Sequence, residues 1–137
     1  MKLINVDSNF SVESLKFGNK TVEFVHNAKT MENYFPQKTL ASMFGVSVAN
    51  VSKLLNNYSK RIKESNNDLT KSLNVHIRLK IDGSKSRVKF YNFKAVSYLA
   101  HRIDTVEALN MLEWIDSSLN TMFNVATGKT DFNNMEV

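Results

Sequence analysis

The chain contains no cysteine. That excludes a disulfide scaffold, a thiolate zinc site and a cysteine nucleophile. It holds one proline and four glycines, too few for a collagenous or Pro/Gly-rich disordered chain. No apolar run approaches the ~18 residues of a membrane span. The opening stretch, Met1-Lys2-Leu3-Ile4-Asn5-Val6-Asp7, is broken by Asn and Asp too early for the apolar region of a signal peptide. There is no Gly-rich phosphate loop, and His26, His76 and His101 lack a metal-ligand spacing such as HExxH. These absences predict a soluble protein of a reducing cytoplasm, not an enzyme, with no catalytic residues, no metal and no cofactor.

What is present is a domain-sized chain with an uneven charge. Its 137 residues are 42 % hydrophobic, enough for one core. The expected organisation is a single domain over 1–123 and a frayed tail over 124–137. The net charge is +5. Residues 1–52 carry +1, residues 53–102 carry +9 and residues 103–137 carry −5. A basic block inside a folded domain points to a polyanion. A solvated lysine-rich face is the plainer alternative.

Periodicity supplies the elements. Ser14 to Val25 reads as a β-hairpin turning at Gly18-Asn19, and His26 to Asn33 as a loop. A helix begins near Pro36, with Leu40, Met43 and Phe44 on one face. Ser47 is a suitable N-cap for a second helix with Val51, Leu54, Leu55, Tyr58 and Ile62 on one stripe. Asn66-Asn67-Asp68 ends it. Leu73, Val75, Ile77, Leu79 and Ile81 alternate with Asn74, His76, Arg78 and Lys80, the pattern of a half-buried strand with a basic outer face. After a turn at Asp82 to Ser86 the chain returns with Val88 and Phe90 inward. His76 reads as a solvent-side residue. Asn92 stands as the cap of a helix from Phe93 to His101, which ends on His101. Asp104 and Glu107 form a capping-box-like start to a last helix, with Ala108, Leu112, Ile115, Leu119 and Met122 at helical spacing.

The stretch from Gln37 to Leu54 fits a DNA-reading helix-turn-helix. Two crossing helices need a small residue where the backbones meet, and Ala41 is there. The turn needs a residue tolerant of positive φ, and Gly45 is there. Leu40, Phe44, Val46, Val51 and Leu54 supply apolar contacts. The second helix then offers Ser47, Val48, Ala49, Asn50, Ser52, Lys53 and Asn56 to a major groove. The basic hairpin that follows reads as a wing, with Arg78, Lys80, Lys85, Arg87 and Lys89 toward phosphates or a minor groove. The expected fold is therefore α+β: a winged helix-turn-helix with an N-terminal β-hairpin and C-terminal helices. The helix-turn-helix would span about 36–62, the wing hairpin about 73–91 and the C-terminal helices about 93–123.

Two segments also carry a family likeness. The first is Leu40-Ala41-Ser42-Met43-Phe44-Gly45-Val46, followed by Val51 and Ser52. The second is Tyr91-Asn92-Phe93-Lys94-Ala95-Val96, continuing without a gap to Arg102-Ile103, Thr105 and Trp114. Together they resemble the RhuM family, virulence-associated and mobile-element proteins of bacteria, over roughly residues 14–119. Lys94, Ala100 and His101 depart from that family's Asp, Gly and Tyr. The resemblance implies a DNA-binding protein of a phage or mobile element, corresponding to the DNA-binding-like half of such proteins.

The functional expectation is sequence-specific binding of duplex DNA by a transcriptional regulator. The alternative is a protein-binding module on the same scaffold, an antirepressor or an inhibitor of a host defence complex. The last helix has more apolar positions than one stripe uses, among them Val106, Leu109, Met111 and Phe123. With Trp114, they predict a homodimer joined through that helix.

Overall fold

The computed structural model describes residues 1–4, 7–17, 19–65 and 76–128. In chain order the elements are β1 (Leu3–Ile4), β2 (Phe10–Phe17), β3 (Lys20–Asn27), β4 (Asn33–Pro36), α1 (Gln37–Phe44), α2 (Val48–Ser65), β5 (His76–Ile81), β6 (Val88–Tyr91), α3 (Phe93–Ala100) and α4 (Val106–Ala126). The strands form one antiparallel sheet in the order β1-β5-β6-β4-β3-β2.

Both faces of this sheet are apolar, because successive strand residues point to opposite sides. On β3, Val22 and Phe24 turn to the helices and Val25 turns away. On β4 the pair is Phe35 and Tyr34, and on β6 it is Tyr91 and Phe90. The helix side forms the larger core, with Leu40, Phe44, Val51, Leu55, Val96 and Leu99 fully buried. The other side gathers Val25, Tyr34, Leu79 and Phe90, with Met1, Leu3, Phe10, Ile77 and Val88 around them. A second apolar face must also leave water, and the sheet achieves this by curling toward a barrel. The amino terminus on the β1 side thereby reaches Glu23 on β3, at 3.0 Å.

This architecture corrects the winged helix-turn-helix expectation. The α+β class stands, but the described residues form a six-stranded antiparallel near-barrel with four helices. The would-be wing, β5–β6, lies inside the sheet: β5 pairs with β1 on its far edge and β6 with β4. Leu79 and Phe90 point inward as expected, but into the barrel interior. A hairpin bonded on both edges and apolar beneath cannot reach out as a free wing. The strands that flank it are two and four residues long, too short to register as alternation in the sequence.

The other elements follow local rules, with some shifted bounds. Gly45 adopts the left-handed conformation, φ 66°, at the end of α1, as the turn requires. Pro36 closes β4 and precedes α1 rather than occupying its first turn. The first hairpin extends in both directions, to Phe10 and to Asn27. The expected strand residues Leu73, Asn74 and Val75, and the helix end at Asn66 to Asp68, lie outside the described residues. The last helix continues to Ala126, past the predicted limit at 123.

Candidate nucleic-acid interface

The α1–α2 turn is held from three directions. The backbone N–H of Val46 donates to the Ala41 carbonyl (3.0 Å). Lys20 Nζ donates to Ser42 O (2.9 Å), placing a cation at the C-terminal end of α1. Thr105 Oγ1 donates to Phe44 O (2.8 Å) and accepts from Ala108 N (3.1 Å). The cap of α4 is thus Thr105, not the Asp104/Glu107 pair. Glu107 instead lays its carboxylate over Gly45, where a β-carbon would collide with it. Neither contact is written in periodicity, because each joins residues some sixty positions apart.

This turn sets the pose of α2, which packs mainly against α1 and α3. Val51 and Leu55 are fully buried, while Leu54, Tyr58 and Ile62 are half-buried against the same core. Ser47 caps the helix by accepting from Asn50 N (3.1 Å), so its oxygen is already engaged. Val48, Ala49, Asn50, Lys53 and Asn56 are exposed and Ser52 is half-buried. The same ridge continues through Asn57, Lys60, Arg61 and Lys63, also exposed. Glu64 is the acid among them. Among the described residues, none of these four cations makes an ion pair. On this helix the expected contacts end at Asn56, although the charge run beyond it is visible in the sequence.

The remaining expected residues form a separate group. Arg78, Lys80 and Lys89 share one face of β5–β6, with Arg78 directly opposite Lys89. Lys80 and Lys89 are half-buried; Lys85 and Arg87 are exposed at the turn. His76 is not a plain solvent-side residue. It is half-buried, with its ring 5.8 Å from that of Tyr91. Burial lowers its pKa from the ordinary value, and Lys89 and Arg78 push the same way. Like charges paired across a ladder repel, so this face favours an anion.

A second aromatic feature flanks α2. Tyr58 stacks on Tyr98 of α3, with ring centres 4.1 Å apart and planes 12° apart. The Arg102 guanidinium lies 3.9 Å over the other face of Tyr98. Arg102 stands just past the end of α3. Its reach to α2 depends on how α3 folds back, which spacing does not reveal. His101 is at the end of α3, its Nδ1 2.7 Å from Ser97 O, and Asn92 caps that helix by accepting from Lys94 N, both as expected.

The described residues include no group of histidines and acids able to hold a metal. No described helix is long and apolar enough to cross a membrane. No family model, curated protein or solved structure matches this chain. The resemblance to RhuM proteins rests on the two sequence segments alone.

Proposed function

We propose that this chain is a sequence-selective duplex-DNA-binding protein, a transcriptional regulator of a bacterium, phage or mobile element, with α2 as its groove-facing helix. The observation that carries this reading is the exposed ridge of α2. Lys53, Lys60, Arg61 and Lys63 stand there without acidic partners among the described residues, interleaved with Asn56 and Asn57. Unpaired cations lose little on meeting phosphates and release the counterions of the duplex. Amide side chains between them can address base edges. Arg78, Lys80, Lys85, Arg87 and Lys89 add a second basic surface on the sheet, which serves nonspecific attraction.

We also propose a second copy as the occupant of the apolar side of α4. Leu109, Leu112, Leu119, Phe123 and Ala126 follow the alternating three- and four-residue spacing of a coiled-coil seam, with the acid Asp116 at the position between Leu112 and Leu119 and Leu112 also half-buried against the core. Leu119, Met122 and Phe123 are 59, 66 and 65 % exposed. A seam of this kind needs an equally long helix opposite it, and α4 of another copy is one. Pairing would put two α2 ridges on one assembly, suited to two half-sites.

The test is selection from a random duplex library, followed by titration of the selected and scrambled duplexes at two salt concentrations. The expected result is a preferred sequence and an affinity that falls with salt. Failure to bind any duplex at low salt overturns the reading and favours a protein partner.

A further inference from the structure

We infer that the recess between α2 and the end of α3 is a phosphate-binding site that grips the backbone of the bound nucleic acid. It rests on the duplex-binding reading and adds a contact outside the groove-facing residues. The recess has a volume of about 530 Å³ and is lined by Leu54, Asn57, Lys60, Arg61, Glu64, Tyr98 and Arg102. Three of these side chains are cations, Lys60 and Arg61 from α2 and Arg102 from the turn that follows α3.

Arg102 is the centre of the site. Its guanidinium carbon lies 3.9 Å from the centre of the Tyr98 ring, and Tyr98 stacks on Tyr58. A guanidinium held over a ring keeps its N–H groups free to donate at its edge. Such an edge matches two oxygens of a phosphate. Arg102 has no carboxylate partner among the described residues, and neither do Lys60 and Arg61. Glu64 also lines the recess but makes no ion pair with any of them. It opposes an anion without neutralising a cation directly. The Tyr58 hydroxyl is held protonated more firmly than usual, chiefly by burial and then by Tyr98, against the opposing pull of Arg102. Tyr58 therefore contributes no negative charge at neutral pH.

The anion is a phosphate group, and either a nucleic-acid backbone or free phosphate could supply it. A backbone is favoured by place: Asn57, Lys60 and Arg61 belong both to the recess and to the exposed ridge of α2. A strand following the ridge passes the recess.

The experiment uses the full chain and the variants Arg102→Gln, Arg102→Lys and Lys53→Gln. Each is titrated with selected duplex, with scrambled duplex and with inorganic phosphate, while tyrosine ring resonances are followed by NMR. Arg102→Gln is expected to weaken both duplexes by about tenfold and to make the salt slope shallower by about one unit. Arg102→Lys is expected to keep the slope but regain only part of the affinity, because a point charge cannot bond two oxygens in one plane. Duplex should move the Tyr98 and Tyr58 signals in the parent and not in Arg102→Gln. If Lys53→Gln weakens duplex binding while Arg102→Gln does not, the recess inference falls and the groove reading stands. If no duplex binds but inorganic phosphate shifts Tyr98, the backbone assignment is overturned in favour of free phosphate. If neither ligand shifts Tyr98, the site is overturned.

Discussion

The two long helices, α2 and α4, use their outward faces differently. Both are anchored at the same place, the turn around Gly45, where α2 begins and where Thr105 and Glu107 start α4. From there α2 keeps apolar residues against the body as far as Ile62 and turns amides and cations outward. α4 buries only Ala108 and Met111 fully, and its far half shows Leu119, Met122, Phe123 and Val125. Its charges within the described residues are acidic. Solvated charge is compatible with a free helix, whereas a row of exposed large apolar side chains is not what an isolated helix retains without a covering surface. The contrast is the ground of the proposal that α2 meets a polyanion and α4 a second copy of itself.

The strongest way to break this comparison is at the anchor both helices share. Gly45→Ala places a β-carbon at φ 66° and against the Glu107 carboxylate. The backbone conformation alone costs roughly 1–3 kcal/mol for a non-glycine residue, and the collision adds to it. A large fall in melting temperature is expected, partly restored by adding Glu107→Ala. Equal stability of the single and double variants would show that the carboxylate does not press on the turn. Leu55→Ala, at a fully buried position of α2, should cost roughly 2–5 kcal/mol. Leu119→Ala, on the exposed half of α4, should leave a dilute monomer's stability unchanged.

The next effect concerns association. Replacing Leu119 and Phe123 together by Glu puts charge into the proposed seam without touching the core. Sedimentation at tens of micromolar should show the parent as a dimer and this variant as a monomer, with unchanged melting of the dilute protein. A parent that stays monomeric at those concentrations removes the second copy from the account of α4.

How much of this was legible in the sequence depends on how local the cause is. Gly45, the Ser47 and Asn92 caps, and the Val51–Leu55–Ile62 stripe follow from neighbours within a turn or two, and all are present. The inward direction of Leu79 and Phe90 was also legible, since alternation fixes it. What lay beneath them was not. One alternating face is compatible with a wing or with a barrel interior, and only the pairings of β1 and β4 decide. The candidate site divides the same way. Lys53 and Asn56 come from helical spacing, whereas the Arg102–Tyr98–Tyr58 stack needs two helices brought together.

Charge removal on α2 sharpens the comparison from the other side. Lys53→Gln and Lys60→Gln should each make the salt slope of duplex binding shallower by about one unit. Asn56→Ala should weaken the selected sequence more than a scrambled one, because a base-edge contact discriminates by about 1–3 kcal/mol. Correctly folded variants that bind both duplexes like the parent would remove α2 from the interface.

The smallest expected effect is a pH dependence on the sheet, which asks whether β5–β6 is a solvated basic surface or a packed one. His76 faces the Tyr91 ring and lies near Lys89 and Arg78, and its pKa falls below 6.5 chiefly because it is half-buried. A histidine with a lowered folded pKa binds its proton more weakly in the native state than in the unfolded state. Between that lowered value and 6.5 the unfolded chain therefore holds more protons, and stability rises with pH. The contribution is fully present above 6.5 and is lost as the pH falls through the native value. Melting of the parent should drop on acidification through this window by more than that of His76→Gln. Removing the neighbouring charge with Lys89→Gln should shrink the difference without abolishing it, since burial is the larger cause. If parent and His76→Gln lose stability in parallel, the imidazole is as well solvated as in the unfolded chain, and the hairpin's outer face is open to water along its whole length.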